Sequence, residues 1–475
     1  MKVINPRTGK ADYEIDPLDA DALAKLTARM REAQKGWAAR PPEERGATLM
    51  KLGEAIGKHH VAIADALTND TGRKAISQME TAGIPGSLAR WAKAAPELIA
   101  RHSVTGYQTV HPTITTNTRL MPYSLVGVIS PWNFPLTLAL IDAVPALMAG
   151  CAAIIKPSEV TPRFIRPLMA AVAEVPELTD VLSLVEGDGA TGAALVPLMD
   201  YVAFTGSVVT GHKVGEAAAK AFIPVSLELG GKDPMIILAS ANPEKAAETA
   251  LRASIVNTGQ ACQSIERVFV AKEIVDPFMT ALVEKAEKVE LNYPDINHGH
   301  IGPFIFAKQA AIVQAQIDDA IAKGAEVHCG GKVENLGGGM YLRPTVISNV
   351  TRQMSVIAEE TFGPVIPVRA FDSVEEALMM ANDGIYGLSG AVIAGTLEEA
   401  EAVGIRLNVG GVSLNDGSLT SMVWETEKSS FGLSGMGASR MGDSGLMRFF
   451  RRQAIIKQAG APAPIAAFAE GSKRS

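Results

Sequence analysis

From about Val126 the chain alternates short apolar runs with longer helical ones, and that rhythm narrows the folds open to it. The runs VGVIS and AAIIKPS flank PLTLALIDAVPALMAG, whose spacing predicts a helix ending at Gly150. VLSLVEG and YVAFTGS follow, and VTGHKVGEAAAKA predicts a helix after the second. Strands alternating with helices predict a parallel sheet of the α/β class. The alternation resumes after Glu228 with PMIIL, NPEKAAETALRASIVN, ERVFVA and PFMTALVEKAEKV, which predicts a second α/β domain. A length of 475 residues exceeds one ordinary hydrophobic core, so two or three domains are expected.

The first hundred residues have a helical pattern. DALAKLTARMREAQKGWAAR and ERGATLMKLGEAIGKHHVAIADALTND repeat apolar residues at three- and four-residue spacings, and the glycine of TGR ends the second. GYQTVHPTITTNTRLM alternates in polarity and predicts an extended ribbon. Leu120 to Ile141 carries no charge and is long enough to span a bilayer. Pro122, Pro131 and Pro135 interrupt it, so it reads as buried strands or strand ends joined by a turn, with no membrane partner. The tail AGAPAPIAAFAEGSKRS is expected to be irregular or loosely docked.

A formal net charge of −7 argues against a nucleic-acid partner, and Arg448, Arg451 and Arg452 read as a solvated face. Three cysteines, Cys151, Cys262 and Cys329, offer neither a disulfide framework nor metal spacing, and a reducing cytoplasm suits them. No apolar export segment is seen near the N-terminus. The histidines are scattered and no G-x-S-x-G occurs, so metal and serine-triad chemistry find no support.

Five stretches could carry chemistry. FTGSVVTG follows an apolar strand and opens a helix, whose N–H groups could receive a phosphate, or it is only a tight turn. IIKPSE puts Lys156 and Glu159 at the carboxyl edge of a parallel sheet, to hold a ribose diol or to form a surface pair. SPWNFP holds the amide of Asn133 between prolines and aromatics, either as an oxyanion donor or as a buried turn residue. SLELGGKDP sets Glu228 among apolar neighbours, where an acid is costly unless paired or tuned for proton transfer. ACQSIERV contains Cys262, which by itself is either core filler, as Cys151 in MAGCAAII looks to be, or a nucleophile.

Taken in order, SPWNFP, KPSE, FTGS, LELGGK, NTGQAC and EETFGP resemble the motif series of the aldehyde dehydrogenase superfamily, and the resemblance extends to about Phe450. It implies two parallel-sheet α/β domains, a Rossmann-like cofactor domain and a catalytic domain, with a small β ribbon for oligomerisation. The expected bounds are residues 1–105 and 126–229 for NAD binding, 230–425 for catalysis, and 106–125 with 445–475 for the ribbon and C-terminal segment. Cys262 would be the nucleophile that forms a thiohemiacetal and then a thioester. Asn133 would hold the oxyanion, and Glu228 would activate the water that releases the acid.

The resemblance also implies the cofactor site. Lys156 and Glu159 would bind the adenosine ribose, with Ser158 and Gly189 near them. Phe204, Thr205, Gly206, Ser207 and Gly211 would lie about the pyrophosphate. Ile129, Ser130, Pro131, Trp132, Leu229 and Gly230 would also bind the cofactor, and Glu360 and Phe362 would hold its nicotinamide end. Glu159 favours NAD, with NADP possible. A homodimer or homotetramer is expected, with a small-molecule aldehyde as the substrate and no metal.

Departures from the family pattern shape the finer expectations. Most relatives carry PFGG where this chain has SSFGLSGMGASRMGDSG, and LNDGSLTS with SGMGASRMG leans toward the branch acting on aromatic and medium-chain aldehydes. Thr137 and Ile141, one helical turn apart, are expected in the pocket wall, with Gln263 and Ser264 facing the aldehyde. Glu228 favours hydrolysis over transfer to coenzyme A. Intact Cys262, Glu228 and Asn133 argue against a non-catalytic relative that reuses the fold.

Overall fold

Leu125–Ile129 sits inside a six-stranded sheet of a computed structural model that describes residues 1–470. Across the sheet run Gly435–Met436, Val225–Glu228, Tyr201–Thr205, Leu125–Ile129, Ala152–Lys156 and Leu182–Leu184. All neighbours are parallel except Gly435–Met436, which pairs antiparallel with Val225–Glu228. Every residue of Leu125–Ile129, Ala152–Lys156 and Tyr201–Thr205 is buried, as expected for strands covered on both faces. Strand order reverses between Leu125–Ile129 and Tyr201–Thr205, and open α/β sheets bind ligands beyond the carboxyl ends at such a switch point.

A seven-stranded sheet follows in the order Glu326–Cys329, Thr345–Ser348, Val365–Phe371, Ile265–Ala271, Asp233–Ile237, Ser389–Ile393 and Gly411–Leu414. It is parallel but for the Glu326–Cys329 edge. Only Leu229 to Lys232 separates the last long strand of the first sheet from the first strand of the second. Chemistry placed at this junction can therefore draw on both sheets.

The N-terminal helices brace the first sheet by closing a helix end. The helix Pro135–Ala149 stops at Gly150, where φ is 99°. Its last carbonyls, which lack intrahelical donors, accept from Trp37 Nε1 at Leu147 (2.9 Å) and Arg45 Nε at Met148 (2.9 Å), and Gln34 Nε2 donates to the carbonyl of Gly150 (2.8 Å). The helix predicted from Glu44 to Asp70 divides at His59 into Pro42–Lys58 and His60–Thr71, the second ending at Gly72 with φ 69°. The uncharged stretch from Leu120 supplies a strand end, the buried strand Leu125–Ile129 and the first turns of Pro135–Ala149, the helix predicted for PLTLALIDAVPALMAG. Pro135 is accommodated at the first helical position, where a missing N–H costs nothing. Among the described residues no helix is long and apolar enough to cross a membrane.

Tyr107–Gln108, Ile114–Pro122 and Phe450–Gln458 form a three-stranded antiparallel ribbon, with Phe450–Gln458 as an almost wholly exposed edge. The solvated-face reading of Arg448 is corrected here. Arg451 and Arg452 are exposed, but Arg448 is buried and its Nη2 donates to Asp142 Oδ1. Arg440 Nη2 reaches the other oxygen of Asp142 at 3.1 Å. This triad fastens the start of the ribbon strand to the Pro135–Ala149 helix across some 300 residues of sequence, which local charge pattern could not reveal. Residues 471–475 of the expected C-terminal segment lie outside the described residues.

Burial alone would raise the Asp142 carboxyl, but the charges of Arg440 and Arg448 hold it below the ordinary aspartate value of 3.8. Its stabilisation is therefore complete above that value and lost as pH falls through the lower folded-state value. Asp142→Asn leaves two buried guanidiniums against a neutral amide, at a cost of about 3–5 kcal/mol. The expected outcome is a thermal midpoint lower by several degrees at pH 7, the difference shrinking toward pH 3. Scanning calorimetry across that range measures both.

Candidate active site

Cys262 lies half-buried on the turn that leads into Ile265–Ala271. Asn257, Thr258 and Gly259 in that turn all have positive φ, near 60°, 59° and 68°. A Cβ at Gly259 would lie 2.3 Å from the carbonyl carbon of Gly363, so only glycine lets the turn pack on the EETFGP loop. Asn133 is buried, and its Nδ2 donates to the carbonyl of Gln260 at 3.0 Å. The Asn133 carbonyl accepts in turn from Asn257 Nδ2 (3.1 Å) and Arg73 Nη2 (3.0 Å). Asn133 and the cysteine turn are thus one hydrogen-bonded unit, with a second amide N–H on Asn133 still available.

Glu228 ends the strand Val225–Glu228, half-buried, and accepts from Ser430 Oγ at 3.3 Å. Glu360 sits over the Leu229–Lys232 junction. Gly231 N–H donates to its Oε1 at 3.1 Å, and a Cβ at Gly230 would lie 2.5 Å from both carboxyl oxygens. Burial and the neighbouring Glu266 push the Glu360 carboxyl up to about 8. Asp233, which the sequence reading passed over, is buried and accepts from Ser389 Oγ and Ser389 N–H (3.1 Å), and burial pushes it up to about 8. Cys262 feels all of these: burial first, then Asp233, Glu228 and Glu360, push its thiol up to about 12, opposed by Arg440.

Further residues at this site lay outside the expected set. Lys428, immediately before the segment that departs from the family pattern, is held below the usual lysine range by burial, while Glu228 and Cys262 act the other way. Its Nζ donates to the carbonyl of Thr420, and Thr420 Oγ1 donates to Gln263 Oε1 at 2.9 Å. Gln263 is half-buried on the cysteine turn, but Ser264 is buried with its hydroxyl toward the Gly259 carbonyl (3.4 Å), so it does not face a pocket as expected. Glu266 and Lys232 form a buried ion pair at 2.8 Å, and Glu266 also accepts from the N–H groups of Thr361 (2.8 Å) and Phe362 (2.7 Å). Both stood in quoted motifs, but only the three-dimensional pairing reveals their task.

The cofactor-side residues cluster at the switch point. Lys156 Nζ and Glu159 Oε2 are 3.3 Å apart; the lysine side chain is 5% exposed and the glutamate 37%, which is not a surface pair. Ser158 is buried beside them and accepts from Val160 N–H (3.2 Å), while Gly189 opens the short helix Gly189–Leu195 and is exposed. Ile129 and Lys156 both face Gly192. Ser207 caps the helix Val208–Ala221 by accepting from Thr210 N–H. A Cβ at Gly206 would meet the Phe204 ring at 2.6 Å, and one at Gly211 would meet Leu229 at 2.5 Å. Thr205 turns its hydroxyl to Arg440, so only its backbone is left toward the switch point. Pro131 and Trp132 are half-buried, and the Trp132 ring lies 5.3 Å from that of Phe362, which joins SPWNFP to EETFGP. Ser130 Oγ is buried without a partner at the end of Leu125–Ile129. That orphaned hydroxyl, the capped helix start and the glycine cradle below Glu360 fit a dinucleotide.

Residues 1–455 match the model of the aldehyde dehydrogenase family. The chain belongs to that family. It is 34% identical to a protein of Mycolicibacterium smegmatis named a putative succinate-semialdehyde dehydrogenase of the NADP(+) kind, covering 94% of this chain and 87% of that protein. It superposes on the structure of putative aldehyde dehydrogenase PutA from Anabaena variabilis with a TM-score of 0.95 and 50% identity, covering 98% of each chain. Betaine aldehyde dehydrogenase from Staphylococcus aureus, solved in complex with NAD+, gives a TM-score of 0.90 at 29% identity over 99% of this chain and 94% of that one. The enzyme is an NAD(P)-dependent aldehyde dehydrogenase, and the two α/β units are those of its family fold.

A thiol near 12 is almost entirely protonated at neutral pH. Alkylation of Cys262 by iodoacetamide in the cofactor-free enzyme should therefore climb steadily between pH 7 and pH 10 without a plateau, because the thiolate is the nucleophile. A plateau below pH 8 would contradict the electrostatics described.

Proposed function

We propose that the enzyme oxidises aldehydes to carboxylic acids by covalent catalysis at Cys262, with hydrolysis assisted by Glu228. Support comes from one observation above the others: Cys262, Glu228 and the Asn133 unit meet at the junction of the two sheets. Glu228 accepts the thiol proton, directly or through water, and the sulfur adds to the aldehyde carbon. The free N–H of Asn133 and the Cys262 backbone N–H donate to the resulting oxyanion, where preorganised donors are worth most. Bound NAD supplies the hydride acceptor, and loss of hydride from the thiohemiacetal carbon leaves a thioester on Cys262. After Glu228 has passed the first proton to solvent, it takes a proton from water, which attacks the thioester carbonyl, and that proton returns to the departing thiolate as the acid is released. The overall change is aldehyde, water and oxidised cofactor to acid, reduced cofactor and one proton.

Lys156, Glu159 and Ser158 would hold the adenosine ribose, the start of Val208–Ala221 the pyrophosphate, and Glu360 with Phe362 the nicotinamide end. Glu159 beside the diol favours NAD, since its charge repels a 2′-phosphate, although the Mycolicibacterium relative is named for NADP(+). Glu159→Gln should raise kcat/KM for NADP relative to NAD, as read from paired initial rates.

Thr137 and Ile141 line a cavity of about 330 Å³ with Ile84, Leu140 and Val144, an apolar volume suited to an aromatic or medium-chain aldehyde. Residues 1–105 with 126–229 would form the cofactor domain and 230–425 the catalytic one. The exposed Phe450–Gln458 edge, whose outer side pairs with no strand among the described residues, supports a homo-oligomer, because long open edges are seldom left uncovered.

The test is an aldehyde panel with NAD and NADP in parallel, following nicotinamide reduction. Cys262→Ala should lose turnover by at least about a thousandfold, given that nucleophile and oriented donors act as a unit. Glu228→Gln should give a burst of reduced cofactor followed by little steady turnover. An unchanged steady rate would remove its assigned role, and activity confined to two- and three-carbon aldehydes would sink the medium-chain reading.

A further inference from the structure

One guanidinium in the cavity beside Thr137 and Ile141 has no hydrogen-bonding or ion-pair partner among the described residues. Arg90 stacks between two indoles, 5.4 Å from the Trp91 ring centroid and 4.7 Å from that of Trp424. Among the described residues it donates no hydrogen bond and forms no ion pair. Glu425 is the carboxylate that acts on it, but that side chain is exposed and already accepts from Trp424 N–H at 3.0 Å. A guanidinium held over aromatic faces still carries a planar fork of donors, which matches a carboxylate in bidentate fashion.

The cavity gives this cation a direction. Gly83, Ser87 and Arg90 form one stripe of the helix Lys74–His102, and Thr137, Ile141 and Val144 form a facing stripe of Pro135–Ala149. Glu80 Oε1 accepts from Thr137 N–H at 2.8 Å, which fixes the inner end only four residues from Asn133. Glu80 Oε2 is buried there without a hydrogen-bond partner, and burial pushes its carboxyl up to about 7. Arg90 lies ten residues further along the same helix, a rise of roughly 15 Å. The apolar stripe therefore runs from the reacting end to an unpaired cation.

We propose that Arg90, held by Trp91 and Trp424, binds a carboxylate at the far end of the aldehyde substrate. The preferred substrates are then aldehydes with an aromatic or medium-length apolar body and a carboxylate opposite the carbonyl. Short acid-aldehydes cannot span the two ends. This assignment rests on the reading that aldehydes are oxidised at Cys262, and it adds the chemistry of the tail.

The experiment compares matched pairs: 4-carboxybenzaldehyde with benzaldehyde, 8-oxooctanoate with octanal, and succinate semialdehyde with butanal. In the wild-type enzyme, kcat/KM for the acid should exceed that for the neutral partner by tenfold or more in the first two pairs, mainly through KM. Arg90→Gln should bring those ratios near one, and Arg90→Lys, which keeps the charge, should restore part of the preference. The ratio for the four-carbon pair should not move. Ratios near one in the wild type, or an equal fall for all three pairs in Arg90→Gln, would overturn the proposal. Should Arg90→Gln fail to fold, Trp424→Leu replaces it and must lower the same two ratios; unchanged ratios there count against the clamp. Absence of cofactor reduction with every aldehyde would instead defeat the underlying reading at Cys262, which the paired ratios do not test.

Discussion

The ion pair between Lys232 and Glu266 governs the geometry of the whole site. Both side chains are about 3% exposed, so their charges have left water at a cost that only good geometry offsets. Lys232 ends the junction between the sheets, and Glu266 stands four residues after Cys262 on the adjoining strand. The carboxylate spends its remaining capacity on the N–H groups of Thr361 and Phe362, and Thr361 Oγ1 accepts from Lys232 Nζ at 2.7 Å. Three segments far apart in the chain thereby share one electrostatic anchor. Glu360, Phe362 and Cys262 take their places from it, and through Phe362 so does Trp132.

Around that anchor the balance of charge is unusual for a site built on a thiol. Asp233, Glu228 and Glu360 all oppose ionisation of Cys262, and burial opposes it more. Two of those acids are themselves raised to about 8, so burial keeps much of their charge neutralised by protons near pH 7. A protonated carboxyl donates as well as accepts, which lets Asp233 and Glu360 sit close to the thiol without three negative charges crowding one volume. Arg440 and Lys428 supply the compensating positive field, the first tied to Asp142 and Thr205, the second to Thr420. The resting site is a guarded one, with Cys262 kept as a thiol.

What the sequence made legible follows the range of the interactions concerned. The strands Leu125–Ile129, Ala152–Lys156 and Tyr201–Thr205 could be read because double-sided burial writes itself into consecutive residues. The helix stops at Gly72 and Gly150 were visible for the same local reason. Arg448 was misjudged because its partner Asp142 is remote in sequence, and charge pattern within one segment carries no trace of it. Ser264 failed differently: its place beside Cys262 suggested a pocket, but its hydroxyl turns back to the Gly259 carbonyl. Asn133 and Glu228 stood out individually only as oddities. Their meeting at one junction is a property of topology, which the order of motifs hinted at and periodicity could not give. Arg90 and Trp424 meet across more than 300 residues and were invisible.

Trp424 and Lys428 stand on one short segment, four residues apart, yet one lines the cavity beside Thr137 and Ile141 and the other lies in the field of Cys262 and Glu228. A change of length or sequence in that single surface segment would alter which molecules are admitted and how the reacting atoms are charged at the same time. Selectivity and reactivity in this enzyme are therefore inherited together, and a lineage diversifying its diet of aldehydes would find both dials on one stretch of chain.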